Sequence, residues 1–217
     1  MERVESAPQQ ALPPTVRIEH CDFRNLHIEA GSVDVILTDV VWSLDAQEDW
    51  RALASVAKVW LRPNGVLCSL IGNCSLPYFC NVIMNQLCYQ LTISVEFTLP
   101  SQSYSRQLVE QWRPAPVFAK AETQVVRGIS DRIIAPQSWK SGKEFDDWQQ
   151  SVPVAMELLK RLTKPGDIIL DPQVGTGTNA VACSLLGDRT FIGCDIDERK
   201  IRTTLYRLAT EGQQKSA

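Results

Sequence analysis

The sequence predicts a single α/β domain with a mostly parallel central sheet and helices on both of its faces. Three observations lead there. Short apolar runs alternate with segments of helical spacing from about residue 15 to residue 210. One run, GVLCSLIG, is almost wholly apolar, as a strand buried on both faces has to be. Two others, VDVILTD and GDIILDP, close on an aspartate at what would be the carboxyl edge of the sheet, where open α/β sheets bind ligands.

The elements follow in order. TVRIEHCDF reads as a first strand, and Gly31-Ser32 leads into the second, VDVILTD. EDWRALASVAKVWL sets Trp50, Leu53, Ala54, Ala57 and Leu61 at helical spacing, with Ser43 or Asp45 as its cap and Arg62-Pro63-Asn64-Gly65 as its stop. GVLCSLIG is the third strand and LPYFCNVIMNQLC a helix. QLTISVEFTL and PAPVFAKA are β-like, with polar and basic turns between them. Residues 122–146 carry the weakest pattern and predict surface loops. DDWQQSVPVAMELLKRLT is a helix stopped by Lys164-Pro165-Gly166. GDIILDP, NAVACSLLG, TFIGCDID and ERKIRTTLYRLA complete a strand–helix–strand–helix run. With no internal repeat and no linker, the chain divides into a flexible N-terminal arm (1–14), one domain (15–210) and a flexible tail (211–217).

Composition narrows the function classes. Hydrophobic residues make up 44% and charged residues 22%, ordinary values for a globular chain. No apolar run approaches the roughly 20 residues that cross a bilayer, and MERVESAPQQALPP has no secretory apolar core. Seven cysteines, an odd number without a C-x-x-C pair, and only two histidines argue against a zinc site; no metal is expected. The cysteines lie mostly in apolar runs, which predicts buried thiols and a reducing, cytoplasmic setting. Net charge is −3, yet residues 101–145 carry +3 and leave −6 for the remainder. Such a segment is either a solvated surface or a loop that meets phosphates.

In GDIILDPQVGTGTNAVACSLLG a strand runs into a loop with Gly175 and Gly177, and a helix begins near Thr178. Glycines there allow a tight turn and close approach of a ligand, and the helix start offers free N–H groups. Twenty residues after Gly175, TFIGCDID ends in Asp195 and Asp197. An acid at that strand tip is placed to accept hydrogen bonds from ribose hydroxyls, so the last fifty residues form a nucleoside-binding half-unit. Asp195 is the candidate ribose ligand; Asp197 suits a charge at the N-terminus of the last helix, where it stabilises the helix dipole. At the other strand tip, TDVVWS places Asp39 and Trp42 three apart. They are either a strand end and a packed ring, or two walls of one pocket.

DPQVGTGT, from Asp171, resembles the cofactor loop of amino-group DNA methyltransferases, whose usual form is D-P-F-x-G-x-G-T. TDVVWS stands where that family carries D-P-P-Y, within GSVDVILTDVVWSLDAQEDW…LRPNGVLCSL, a passage otherwise similar to it. The likeness extends to IEHCDF and to DDWQQSVPVAMELLKRLTKPGD, about residues 15 to 210, and the order of the two motifs matches the circularly permuted β-type branch. It implies a Rossmann-like S-adenosylmethionine-dependent methyltransferase fold, S-adenosyl-L-methionine as cofactor, and methyl transfer to an exocyclic amino group of a base flipped out of duplex DNA, adenine N6 before cytosine N4. Asp39 would hold the amine, Val40 would present the accepting carbonyl, and Trp42 would stack on the base. Asp171, Gly175, Gly177 and Thr178 would line the methionine and sugar, with Asp195 on the ribose. Asp22 and Phe23 would meet the cofactor's adenine. Gln149, Gln150 and Ser151, a WxQS-like stretch, would approach the same pocket.

Two departures bear on activity. The family's prolines are Val40 and Val41 here, which can take the same extended backbone without enforcing it. The phenylalanine after Asp171-Pro172 is Gln173. The alternative expectation is therefore a catalytically impaired subunit that binds cofactor or DNA and supports a partner. The stretch between the third strand and the Gly loop is also short for a DNA-reading region, which predicts weak specificity, a homodimer or a partner subunit. Trp112, Trp139 and Trp148 are potential stacking surfaces for bases, and His20 and His27 read as structural.

Overall fold

The computed structural model describes residues 15–103, 108–122, 125–136, 144–146 and 148–212, with backbone alone at 98–103 and 108. The expected arm at 1–14, most of the tail, Trp139 and the cations Arg106, Lys140 and Lys143 lie outside the described residues.

Among the described residues, eight strands form one sheet in the order β1-β8-β7-β2-β3-β5-β4-β6. They are β1 (Val16–His20), β2 (Val33–Asp39), β3 (Leu61–Leu70), β4 (Cys88–Ser103), β5 (Leu108–Ala119), β6 (Arg132–Ala135), β7 (Ile168–Asp171) and β8 (Thr190–Asp195). The neighbours β1, β8, β7, β2 and β3 run parallel. β5 is antiparallel to both β3 and β4, and β6 is parallel to β4. The helices are α1 (Gln47–Trp60), α2 (Leu76–Ile83), α3 (Val152–Leu162), α4 (Thr178–Leu186) and α5 (Glu198–Thr210).

The period of two along each strand sorts the core into two layers. Val35, Leu37, Cys68 and Val117 face one way and meet Leu158 of α3, Ala182 of α4 and Ile201 of α5. Ile36, Leu67 and Phe118 face the other and meet Trp50 and Leu53 of α1 and Phe79 of α2. Phe79 is fully buried, edge-on to Trp50 at 5.5 Å and to Phe118 at 6.1 Å. The expected arrangement of helices on both faces is therefore what the sheet carries.

Local expectations needed correction in four places. The polar stretch at 101–113 is not a set of turns: Ser101↔Glu110, Gln102↔Val109 and Ser103↔Leu108 continue the β4–β5 ladder. Backbone pairing across a hairpin sustains a strand that has no apolar alternation. The supposed loop region 122–146 contains β6, whose four residues bond to β4 through Ser94↔Arg132 to Phe97↔Ala135; so short a run has no readable period. The helix expected from DDWQQS starts only at Val152, because Pro153 suits its first turn while Ser151 before it is extended. Ser43 caps the 3-10 turn Leu44–Ala46 that feeds α1 rather than α1 itself, accepting from Asp45 N at 3.2 Å.

All seven cysteines are free thiols, and no helix among the described residues is long and apolar enough to cross a membrane. The basic segment is divided in use. Lys120 Nζ donates to the Leu61 carbonyl at 2.8 Å, Arg132 pairs with Glu96 at 2.7 Å, and Arg113 turns toward the sheet edge described below.

Removing the ring that joins α1, α2 and β5 tests this layer. Phe79→Ala should lower the unfolding free energy by about 3–5 kcal/mol in urea titration, with an unchanged denaturant slope.

Candidate active site

Three adjacent parallel strands end on aspartates at the same edge: Asp39 on β2, Asp171 on β7 and Asp195 on β8. Each is held differently. Asp171 is buried; its Oδ1 accepts from Gln173 N at 3.1 Å and its Oδ2 from Asn179 Nδ2 at 2.8 Å. Burial pushes it up to about 6, against the pull of those hydrogen bonds. Asn179 Nδ2 also donates to the Leu37 carbonyl at 3.1 Å, so α4 stitches the ends of β7 and β2 together. Asp195 accepts from Gly175 N at 3.0 Å and from Asp197 N at 2.9 Å, which ties the Gly loop to the β8 tip. A carboxylate so engaged keeps lone pairs for a ligand. Asp39 accepts from Trp42 Nε1 at 3.1 Å. Burial pushes its pKa up to about 7; Gln150, Trp42 and the charge of Arg113 oppose the rise, and Asp171 adds to it.

The Gly loop between β7 and α4 takes positive φ at Gly175 (55°) and Gly177 (84°). Helix α5 grips it from behind: Thr204 Oγ1 donates to the Gly175 carbonyl at 2.9 Å, and the buried Arg207 donates from Nη1 to the Thr176 carbonyl at 2.9 Å while its other nitrogens pair with Glu211. Gly177 departs from its expected place. It is not on the cavity wall but faces α5, where a Cβ would stand 2.8 Å from Thr204 Cγ2. Its glycine serves close helix packing and the left-handed turn.

The stretch after β2 is pinned by its carbonyls. Trp50 Nε1 donates to Val41 O at 3.0 Å, and Ser75 Oγ donates to Trp42 O. Val40, between Asp39 and these two anchored residues, is buried. The Trp42 indole lies against Gly72, where a Cβ would be 3.1 Å from Cε3, and the Arg113 guanidinium carbon is 4.7 Å from its ring centroid.

These elements enclose a cavity of about 620 Å³. Of the residues singled out from sequence, Asp39, Val40, Trp42, Asp171, Gly175, Thr178 and Asp195 line it, together with Asp22, Phe23, Gln149, Gln150 and Ser151. Asp22 caps the 3-10 turn Phe23–Asn25 at its edge, and its carboxylate is braced by Arg24. Of the three tryptophans proposed as stacking surfaces, Trp148 is 79% exposed at the cavity wall. Trp112 is partly exposed on β5, with its carbonyl bonded to Asn73. His20 is structural, its Nε2 3.0 Å from the Ile196 carbonyl.

Sequence reasoning missed Asn179, Arg113 and the Thr204–Arg207 grip. Arg207 had a signal: it lies three residues after Thr204 and six after Ile201, on the buried face of α5. Arg113 had one too, as the cation that continues the apolar row Ala115, Val117, Ala119 on β5.

A doubly wound sheet with a Gly loop at a helix start and an acid on the next strand tip defines a nucleoside-binding fold of the methyltransferase class. The sequence model of the N6/N4 methyltransferase family, described as DNA methylase, matches residues 46–205, and the chain belongs to that family. The match begins just beyond Trp42. A curated relative, the type II methyltransferase M2.DpnII of Streptococcus pneumoniae, is 26% identical over 203 residues, covering 84% of this chain and 75% of its own. The crystal structure of the M1.HpyAVI–SAM complex superposes with a TM-score of 0.70 at 22% identity, over 89% of this chain and all of that one. The cytosine-N4-specific PvuII DNA methyltransferase gives 0.74 at 10% identity, over 89% and 88%.

Gly177→Ala should cost about 1–3 kcal/mol of stability, from backbone strain and the clash with Thr204, read by urea titration. Gly31→Ala, also at positive φ but with no atom within 4 Å of the added Cβ, should cost less.

Proposed function

We propose that this chain transfers a methyl group from S-adenosyl-L-methionine to the exocyclic amine of a DNA base, adenine N6. The observation that carries the reading is the convergence of Asp39 and Val40 with the Gly loop and Asp195 on one cavity. The cavity's chemistry suits the cofactor. Three carboxylates at its floor favour a cationic ligand, and Ser151 Oγ and Gln173 Oε1 are buried without a hydrogen-bond partner, as polar atoms awaiting a polar ligand are. Gln173, where the family has phenylalanine, thus offers an acceptor in place of a ring. Asp195 would hold the ribose, Asp22 and Phe23 the adenine, and Gly175, Thr178, Gln150, Ser151 and Asp171 the remainder.

S-adenosylmethionine supplies an electrophilic methyl carbon on sulfur, so the chain's task is to present nitrogen. The exocyclic amine is a weak nucleophile because its lone pair is shared with the ring. Asp39 accepts one N–H and the Val40 carbonyl the other, which turns the lone pair toward the methyl and favours the positive charge that develops on nitrogen. The new C–N bond forms as the C–S bond breaks, and the proton lost from nitrogen passes to the Asp39 carboxylate, whose affinity near neutrality suits it to the role. Trp42 forms the wall beside the base. Duplex DNA with a flipped base is the proposed substrate, and a second copy or a partner subunit the proposed source of sequence recognition.

A second reading has its own observation. Val40 and Val41 replace a stiff pair, and Val41 is 58% exposed, so the chain could serve as an impaired subunit that supports an active partner.

Three measurements decide. In calorimetry with S-adenosylmethionine, Asp195→Ala should weaken binding at least about tenfold, as losing a hydrogen bond to a charged group implies; equal affinity sinks the pocket assignment. Labelled-methyl transfer to unmethylated duplexes, with adenine or cytosine as the sole acceptor, should label adenine and fall about a hundredfold or more in Asp39→Asn. Transfer by Val40→Pro/Val41→Pro alone would favour the second reading. Transfer should also fail as pH drops through about 7, because only ionised Asp39 accepts the N–H. Stability runs the opposite way. An aspartate raised from 3.8 to about 7 stabilises the fold fully when protonated, and that contribution is lost as pH rises through about 7. Asp39→Asn should therefore be more stable than the parent at pH 8, with little difference at pH 4.

A further inference from the structure

Arg113 is a charged group of the cavity wall that the transfer mechanism leaves unused. It sits on β5, an antiparallel strand outside the nucleoside-binding half of the sheet. Its placement is built from several directions. The pair Val95↔Arg113 sets Phe97 diagonally across from it on β4, and the guanidinium carbon lies 5.2 Å from the Phe97 centroid and 4.7 Å from that of Trp42. On either side its backbone neighbours are anchored to the segment after β3: Asn73 Nδ2 donates to the Trp112 carbonyl at 2.9 Å and Ile71 N to the Pro114 carbonyl at 3.1 Å. That same segment supports Trp42, through Gly72 against the indole and Ser75 on its carbonyl. One short loop thus fixes the guanidinium and the indole relative to each other, and the indole in turn holds Asp39 through Nε1.

We propose that Arg113 is a positioning residue of this pocket: held against the Trp42 and Phe97 rings, its guanidinium fixes the indole beside Asp39 and keeps that carboxylate in its charged, amine-accepting form. The proposal deepens the transfer reading given above and rests on it for the amine. Stacking on two rings suits guanidinium, which is planar and weakly hydrated, better than ammonium. Asp39 faces Arg113 from β5 and Asp171 from β7, the first favouring its ionised form and the second opposing it. Arg113 itself feels Asp39 and Glu110, both of which favour its charge against burial. In this arrangement a cation clamped on the Trp42 ring supplies rigidity where two valines stand in place of prolines.

The test reads Asp39 directly. The full chain carrying carboxyl-13C aspartate is titrated by NMR, with the Asp39 signal assigned by its loss in Asp39→Asn. Arg113→Met should raise the Asp39 midpoint by about half a pH unit or more, as loss of a nearby opposite charge does. Arg113→Lys should hold the midpoint close to the parent, while the clamp on the indole weakens. In single-turnover methyl transfer the acid limb should move with the Arg113→Met midpoint, and Arg113→Lys should slow the rate without moving the limb. Binding of S-adenosylmethionine should stay within about threefold of the parent in both, since neither touches the Gly loop. An unmoved midpoint in Arg113→Met overturns the proposal, as does a rate loss in Arg113→Met with an unmoved acid limb, which marks a structural role only. If Arg113→Met does not fold, Arg113→Gln carries the same expectation. If the parent transfers no methyl to adenine or cytosine, the transfer reading falls, and the NMR midpoint still decides whether Arg113 governs Asp39.

Discussion

Three carboxylates at the ends of adjacent strands are an electrostatic problem that the surrounding structure has to solve. Asp39, Asp171 and Asp195 stand side by side at one edge of a buried sheet, and burial penalises the charge of Asp39 and Asp171. Each is met by donors from a different element. Asp171 takes the amide of Asn179 and the backbone of Gln173; Asp195 takes two backbone N–H groups; Asp39 takes the indole of Trp42. The bonds that answer the carboxylates also shape the cavity. Asn179 joins two strand ends, Asp195 fixes the Gly loop, and Asp39 fixes the ring that walls the acceptor side.

The two sides differ in how firmly they are held. The loop between β7 and α4 is bonded from β8 in front and gripped by Thr204 and Arg207 behind, with Arg207 itself anchored on Glu211. A buried arginine of this kind is stable only because carbonyl and carboxylate acceptors occupy its donors. The segment after β2 leans instead on rings and carbonyls: Trp50 to Val41, Ser75 to Trp42, and Arg113 over the indole. The Gly-loop side is thus held by hydrogen bonds from two elements, and the segment after β2 by ring and carbonyl contacts.

Much of this was legible in the sequence, for identifiable reasons. β2 and the apolar half of β3 were readable because a strand buried on both faces has to be apolar throughout. α1 was readable because one face of it packs on the sheet and imposes the helical period. The Gly loop and the acid twenty residues later were readable because close approach and positive φ leave few choices of residue. β6 and the outer part of the β4–β5 hairpin were not, since four residues show no period and backbone pairing asks nothing of the side chains.

The sequence by itself determined the alternation of strands and helices, the Gly bend and the aspartates at strand ends, because burial and backbone conformation restrict residue type locally. It also marked Asp39 and Trp42 as a pair without deciding which way they faced. Only the tertiary structure decided that β2, β7 and β8 lie next to one another, that Gly177 turns its back on the cavity to meet Thr204, and that Arg113 arrives beside Asp39 from seventy-four residues away. Strand order and cross-strand register are set by packing between distant segments, and no local pattern records them.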